Sequence, residues 1–300
     1  MEKQRNKKGS LPIGVRIIGI IIAVLAAAYG LYAGMGNSTG NFDGEMQIFA
    51  LDVGQGDSFF IISPNGKTML IDSGESSNSK QIEQFIREKG VRQLDVVIGS
   101  HTHSDYVGSM PYLLDAFDVG KYVMSEAGLE TRIQKRINAV LEEKDIPCSY
   151  VWAGDVIDWD SDCKVTVLSP VPEFDEYSKT DWNEWSLIIR AEYANHSMIF
   201  TGDATVRSEQ AAMLNNEKYL FDADVLKVPH HGSTTSSSLG FLEAVSPEYA
   251  IISVGKGNSY GHPDYDTIQK LKQVNAEIYR TDELGTIKIV FSADDIKIIY

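Results

Sequence analysis

The sequence predicts an α/β fold in which two mixed sheets pack against each other beneath covering helices. Strand-like runs are concentrated in two β-rich halves of the chain, and helical runs with one apolar face lie between them. Elements that each bury one apolar face pack in layers, so this combination favours two stacked sheets with helices outside. No internal repeat, low-complexity tract or second linker divides residues 46–300, and they are predicted to form one domain.

The first half of this region is predicted to hold four strands and two helices. One helical run has Ile82, Phe85 and Ile86 on a single face and ends at Gly90, a residue type that commonly terminates helices. The turn residues of "PNGK" separate the second and third strands. The predicted strands are 46–53, 58–63, 68–73 and 94–100, and the predicted helices are 78–90 and 130–144.

The second half has the same character and closes with a predicted β-hairpin at 286–300. Its strands are again short and apolar, and loops follow them. The run "SSSLGFLEAVS" is predicted to be a packed helix rather than a recognition element. The other predicted elements are the strands 185–194, 197–203 and 249–255, the strand and loop 223–232, and the helices 207–220 and 263–275.

The first 45 residues are predicted to lie outside this domain. Ile17–Met35 is a stretch of 19 residues without a charge, which is long enough for a bilayer span. Five basic residues precede it, so the short end at 1–16 should stay in the cytoplasm and the domain should lie outside a single-pass anchor. A cleaved signal peptide within 1–35, which would make the protein secreted, is the alternative. Residues 36–45 are rich in Gly, Ser and Asn and are predicted to be a flexible linker.

Charge and cysteine content both bear on the surroundings of the domain. Residues 36–300 carry 22 Lys and Arg against 41 Asp and Glu, a formal net charge of −19. Such a surface repels polyanions and disfavours nonspecific binding of nucleic acid. Cys148 and Cys163 could form a disulfide in an oxidising exterior or remain as two free thiols.

The stretch "GSHTHSDYVGSM" places His101, His103 and Asp105 on alternate residues, directly after the apolar run "LDVVI". Side chains two residues apart share a face of an extended segment, so these three could converge on one ion if the loop curls around it. Imidazole and carboxylate ligands together suit zinc or manganese. The pattern therefore indicates a metal site at the end of a strand.

Further residues of the same types follow other predicted strands. Asp203 ends one apolar strand, and its carboxylate could bridge two ions; His230 and His231 follow another strand, and His262 follows a later one. Five of the six histidines thus lie just past a strand in a glycine-rich loop. The sixth, His196, is expected to be solvated in a hairpin turn. This distribution indicates a metal or catalytic cluster rather than scattered surface histidines.

An ordered set of motifs resembles the metallo-β-lactamase superfamily. The motifs are "LDVGQGDS", "LIDSG", "SHTHSDYVG", "NEWSLIIR", "FTGDA", "LKVPHHGS", "YGHP" and "YRTDELGTIKI". Within the superfamily the chain is similar to the hydrolase-like domain of the competence protein ComEC and to its stand-alone, membrane-anchored relatives. The resemblance implies a four-layer αββα sandwich with one or two divalent metal ions, zinc or manganese, at the sheet edge. It also implies hydrolysis by a metal-bound hydroxide.

The resemblance further implies two metal sites that share one carboxylate. The implied ligands are His101, His103 and Asp203 for the first ion and Asp105, Asp203 and His231 for the second. His230, beside His231, would face the substrate, although the resemblance leaves open which of the two is the ligand.

Two positions depart from the superfamily pattern. The motif is His-x-His-x-Asp-His, and Tyr106 replaces its last histidine. A further histidine is expected before "TGD", but none lies between His103 and His196, and Asn183 falls near that place. Each site still keeps three ligands, which is sufficient for a catalytic zinc ion. Tyr106 is expected to ligate as a phenolate or to hydrogen-bond the substrate, and the sites should be weaker and richer in oxygen, which favours manganese.

Other motif residues have two interpretations each. Asp52, Asp57 and Asp72 could orient the ligating imidazoles, or they could cap turns beside glycines. His262 could be a ligand, an acid or a substrate contact, or it could only brace its loop before Pro263.

Together these features predict an extracellular, membrane-anchored, metal-dependent hydrolase. Phosphodiesters are the preferred substrates, cleaved by a nuclease-like enzyme or a cell-wall phosphodiesterase. The resemblance favours DNA as a partner, whereas the net charge disfavours it. A non-catalytic binding or assembly module with a degraded metal site is one alternative. A lactonase or amidase that acts on a small extracellular molecule is another.

Overall fold

The computed structural model describes residues 44–172 and 180–300. The predicted anchor or signal segment, 17–35, lies outside the described residues, as does the predicted linker apart from its last two residues. Within the described ranges, no helix has the length and apolar character needed to cross a bilayer.

The described residues form fourteen strands in two mixed sheets. The strands are β1 (Met46–Ala50), β2 (Phe59–Ile62), β3 (Thr68–Ile71), β4 (Gln93–Gly99), β5 (Asp118–Met124), β6 (Cys148–Tyr150), β7 (Cys163–Ser169), β8 (Ile188–Tyr193), β9 (His196–Phe200), β10 (Val225–Lys227), β11 (Tyr249–Ile252), β12 (Glu277–Arg280), β13 (Ile287–Phe291) and β14 (Ile296–Ile299). The larger sheet has the order β14-β13-β1-β2-β3-β4-β5-β6, and the smaller sheet has the order β12-β11-β10-β9-β8-β7. Pairing is parallel from β3 to β6 and from β9 to β12, and antiparallel elsewhere.

The described part of the chain contains eight α-helices. They are α1 (Ser79–Glu88), α2 (Ser104–Val107), α3 (Met110–Ala116), α4 (Arg132–Glu143), α5 (Val206–Asn215), α6 (Leu239–Val245), α7 (Tyr265–Gln273) and α8 (Thr281–Leu284). Apolar residues of α1, α3 and α4 pack with Phe60 and Val97 of the larger sheet. Residues of α5, α6 and α7 pack with Ile199 and Leu226 of the smaller sheet.

A third apolar cluster lies between the two sheets. The rings of Phe59 in β2 and Phe200 in β9 meet edge to face, with their centroids 5.2 Å apart. Phe60, the next residue of β2, faces the helices instead, because successive side chains of a strand point to opposite sides. Strands buried on both faces need apolar residues throughout, which explains the continuous apolar runs in the sequence. The predicted arrangement of two sheets flanked by helices is confirmed.

Three local expectations differ from the structure. The helices α2 and α3 were not predicted. Residues 110–114 of α3 include buried side chains on several sides and show no apolar stripe. The strands β5 and β12 were also not predicted; their residues are partly exposed and mixed in character. His196 is not a solvated turn residue: it begins β9, and its ring packs 5.6 Å from that of Phe291.

The two cysteines are free thiols, so the disulfide alternative is not found. Cys148 lies in β6, at one edge of the larger sheet, and Cys163 lies in β7, at one edge of the smaller sheet. Burial raises the pKa of the Cys163 thiol to about 12, so this group stays protonated at neutral pH.

Replacing Phe200 by Ala is expected to lower the free energy of unfolding by about 3–5 kcal/mol, because it opens a cavity between the sheets. Urea denaturation measures the change. Leu214→Ala is the matched control, since Leu214 is 84% exposed, and this substitution should cost less than about 0.5 kcal/mol. Equal losses in the two variants would contradict the proposed packing of the sheets.

Candidate metal centre

The predicted metal-binding side chains follow the carboxyl ends of strands from both sheets. The strand β4 of the larger sheet leads into His101, whereas β9 and β10 of the smaller sheet lead into Asp203 and His231. The loops of the smaller sheet are joined by a hydrogen bond from the amide of His230 to the carbonyl of Gly202, at 3.1 Å. Because carboxyl ends of neighbouring parallel strands meet at one edge, residues far apart in sequence come together here.

His101, His103 and Asp203 form the first group of donors, and their ligand atoms all lie within 4.8 Å of one another. Nε2 of His101 is 3.1 Å from Nδ1 of His103 and 3.6 Å from Oδ2 of Asp203. Burial lowers the pKa of His101 to about 3. The imidazole is therefore neutral near pH 7, which is the form that binds a metal ion.

Asp105, Asp203 and His231 form the second group, whose ligand atoms also lie within 4.8 Å of one another. Nε2 of His231 is 3.4 Å from Oδ2 of Asp105 and 3.9 Å from Oδ1 of Asp203. Nδ1 of the same ring lies 2.8 Å from the carbonyl oxygen of Ser253, which fixes the ring orientation. The two oxygens of Asp203 thus face different groups.

These donors fit divalent metal ions. One group offers two imidazoles and a carboxylate, and the other offers one imidazole and two carboxylates, which are combinations that bind zinc and related ions. Burial alone would raise the pKa of Asp203, but the neighbouring His231 and His101 hold it below its usual range. Asp203 is therefore a carboxylate available to both groups.

Comparison with known proteins places these residues in a family. The family model of the Metallo-beta-lactamase superfamily matches residues 51–256, a range that contains both donor groups. The chain belongs to this superfamily. The resemblance seen in the motifs is thereby confirmed.

Curated relatives lie in the competence branch that the motifs indicate. ComE operon protein 3 of Bacillus subtilis (strain 168) is 33% identical over 261 residues, which cover 81% of this chain and 33% of that protein. Competence protein ComA of Neisseria gonorrhoeae is 28% identical over 256 residues, covering 85% and 34%. The chain therefore spans about a third of the length of these relatives.

A solved structure shares the fold. It is Igni18, described as a novel metallo hydrolase from the archaeon Ignicoccus hospitalis KIN4/I, with a TM-score of 0.54 and 14% identity. The match covers 82% of this chain and 99% of that chain. At this identity the likeness concerns the fold alone.

Two adjacent residues of the superfamily motif "HHGS" have unusual backbone conformations. His230 and His231 both adopt left-handed conformations, with φ values of 52° and 54°, and Gly232 follows with φ 85°. Non-glycine residues in this region cost on the order of 1 kcal/mol each and are concentrated at functional sites. The hydrogen bond between His230 and Gly202 helps to hold this loop in place.

Tyr106 replaces a superfamily histidine and lies fully buried between the two donor groups. Its hydroxyl donates to Oδ1 of Asp203 and lies 3.2 Å from Nε2 of His231. Its ring centroid is 4.3 Å from that of His101. Burial, together with nearby carboxylates including that of Asp203, raises the pKa of Tyr106 well above its usual value. The expected direct contact with substrate does not fit a side chain that is 0% exposed.

Lys227 is a residue of the site that the sequence analysis did not identify. Its ammonium group lies 2.6 Å from Oδ2 of Asp57, with both side chains 1% exposed, and donates to the carbonyl of Gly202 at 2.6 Å. It also lies 3.5 Å from the hydroxyl of Tyr106. A lysine inside the apolar strand run "DVLKV" was the available signal, because lysine is almost never fully buried without a partner.

Asp57 belongs to the support of the centre, as one interpretation of the sequence expects. Its Oδ1 is 3.5 Å from Nδ1 of His231, and its Oδ2 pairs with Lys227. Burial raises the pKa of Asp57, while Lys227 and His231 oppose that rise. The preceding Gly56 is required by close approach, because a Cβ there would overlap the carbonyl oxygen of Asp105.

Asp72 and Asp52 have different roles. Oδ1 of Asp72 accepts a hydrogen bond of 2.8 Å from the amide of Ser100, so it orders the backbone just before the first histidine. Oδ1 of Asp52 accepts a bond of 3.1 Å from the amide of Gly54, within its own turn. Asp52 therefore acts as a turn cap, and the prediction that it orients an imidazole finds no contact in its favour within the described ranges.

The remaining predicted site residues lie at different distances from the centre. Nε2 of His230 is 3.6 Å from Oδ2 of Asp203, and the ring of His262 lies 5.8 Å from that of His230. Asn183 is placed differently: its side-chain oxygen is buried without a hydrogen-bond partner. Among the described residues, no hydrogen bond or ion pair links the Asn183 side chain to the donor groups, so the structure gives it no catalytic contact.

Replacing Lys227 by Met is expected to lower the free energy of unfolding by about 3–5 kcal/mol, because Asp57 would keep a buried charge without its cation. The loss should shrink as pH falls, since burial already raises the pKa of Asp57 and protonation then removes the charge. Urea denaturation of the metal-free protein at several pH values measures both effects. Lys164→Met, at an exposed position of β7, is the matched control. A pH-independent loss, or equal losses in the two variants, would contradict the ion pair.

Proposed function

We propose that this chain is a metal-dependent hydrolase that cleaves phosphodiesters. The observation that carries the proposal is the pair of donor groups that share Asp203 at the edge of the two sheets. Superfamily membership supports the reaction class. His101, His103 and Asp203 would hold a catalytic ion, with Asp105 and His231 beside it.

A bound divalent ion would polarise a phosphoryl oxygen and make water a stronger acid at neutral pH. The chain supplies two further imidazoles beside the donor groups: the His230 side chain is 22% exposed and that of His262 is 11% exposed. Thr235 fixes the His230 ring through Nδ1, at 2.9 Å, and Nε2 of the same ring faces Oδ2 of Asp203 at 3.6 Å. Burial lowers the pKa of both His230 and His262. Both rings are therefore neutral at pH 7 and able to accept a proton or a hydrogen bond from the substrate.

Phosphodiesters are preferred because of the relatives and the metal-binding donors together. Relatives are named for competence and, in Haemophilus influenzae, for recombination (Recombination protein 2, 28% identical), and recombination acts on strands linked by phosphodiesters. The net charge of −19 over residues 36–300 disfavours long polyanions. Short phosphodiesters, such as short oligonucleotides, are therefore the substrates that best suit the whole surface.

Purified protein supplied with zinc or manganese is expected to hydrolyse bis-p-nitrophenyl phosphate, and Asp203→Ala should reduce the rate by at least about 100-fold because both donor groups lose a ligand. Asp294→Ala, at an exposed position outside both donor groups, should retain full activity. Parallel assays with short and long single-stranded DNA and with wall teichoic acid would assign the natural class. A folded, metal-loaded protein that cleaves none of these phosphodiesters would refute the proposal.

We further propose that residues 17–35 anchor the domain at the outer face of the membrane. The full-length chain should then sediment with membranes, resist extraction by alkaline carbonate, and be digested by protease added to intact cells. Deletion of residues 1–35 should move the chain to the soluble fraction. Recovery of the wild-type domain in the culture medium without its first residues would instead identify a cleaved signal peptide.

A further inference from the structure

The buried hydroxyl of Tyr106 occupies the space between the donors of the second group. It contacts Asp203 and His231, which are two of the three ligands that a second ion would need. Ligand atoms lie about 2 Å from a bound transition-metal ion. An ion between Oδ1 of Asp203 and Nε2 of His231, which are 3.9 Å apart, would therefore have to displace this hydroxyl or take it as a ligand.

The charges around the second group are already balanced in part by the chain itself. Lys227 places an ammonium group 3.5 Å from the Tyr106 hydroxyl and is held there by Asp57 and by the carbonyl of Gly202. Asp57, Asp105 and Asp203 contribute three carboxylates against this one cation. A second divalent ion would add further positive charge beside the buried ammonium group of Lys227.

The first group has none of these obstacles. Oδ2 of Asp203 faces His101 and is separate from the oxygen that Tyr106 contacts. Two imidazoles and one carboxylate give three ligands and leave positions for water and substrate.

We infer that this chain holds a single metal ion, bound by His101, His103 and Asp203, and that Tyr106 and Lys227 take the place of the second ion. The Tyr106 hydroxyl supplies the hydrogen bond that fixes Oδ1 of Asp203, and Lys227 supplies positive charge. His231 then positions Tyr106 and Asp203, and Asp105 holds His231, so neither residue acts as a ligand. This inference rests on the proposed metal-binding function of the same centre.

The test is the metal content of the purified full-length chain after incubation with zinc or manganese and removal of free ions. Mass spectrometry of the metal should give about one equivalent per chain, and electron paramagnetic resonance of the manganese form should show an isolated ion rather than a coupled pair. About two equivalents would overturn the inference while leaving the proposed hydrolase intact. No bound metal in folded protein would overturn both.

Substitutions of individual residues test which donors bind the ion and whether Tyr106 prevents a second ion from binding. His103→Ala should lose the bound ion, and Asp105→Ala should keep it; the opposite result would place the ion in the second group and overturn the assignment. Tyr106→His supplies a neutral imidazole ligand next to Asp105 and should raise the content towards two equivalents. Tyr106→Phe should stay at one equivalent, because the first group does not need the hydroxyl. A metal content that stays at one equivalent per chain in folded Tyr106→His would show that Tyr106 does not prevent a second ion from binding.

Discussion

The geometry of the centre depends on the carboxylate of Asp203, which is 2% exposed and surrounded by groups from both sheets. One of its oxygens faces His101 and His230, and the other faces Tyr106 and His231. A buried carboxylate is costly unless charges and hydrogen bonds surround it, so the imidazoles around Asp203 stabilise its negative charge. Two sheets packed face to face bring those groups to one edge, and this explains why the fold and the site cannot be considered separately.

A buried ion pair supports the residues around that carboxylate. Lys227 and Asp57 form an ion pair with almost no exposure to solvent, and it contacts Tyr106 on one side and His231 on the other. An isolated buried pair rarely adds stability over apolar residues of the same volume, so its value lies in fixing orientation. The substitution of a histidine by Tyr106 is thus not an isolated loss. It is accompanied by hydrogen bonds that give the phenol a defined position.

The predictable and unpredictable parts of the structure differ in physical character. Strands such as β4 and β9 are apolar on both faces, so their composition alone predicts them. The histidines and aspartates that follow these strands are the residue types that bind metal ions, so the sequence also predicts the donors. The helix α3 was not predicted, because a segment buried on several sides has no amphipathic stripe. The role of Lys227 was not predicted, because its partner, Asp57, lies 170 positions earlier in the chain and only the fold brings the two together. Asn183 was predicted because it falls near the place of an expected histidine, and such a position in the sequence does not ensure contact with the centre.

The order of the strands in the larger sheet has a consequence for synthesis of the protein. The first strand, β1, pairs with β13, which follows every other strand of this sheet except β14 along the chain. The donors are similarly divided, with His101 and His103 from the early half and Asp203 and His231 from the late half. A ribosome that has translated only the first half has produced a sheet in which β1 is paired with β2 on one edge alone, together with half of a binding site. Neither donor group is therefore complete before the later half of the chain has been translated, because both contain Asp203.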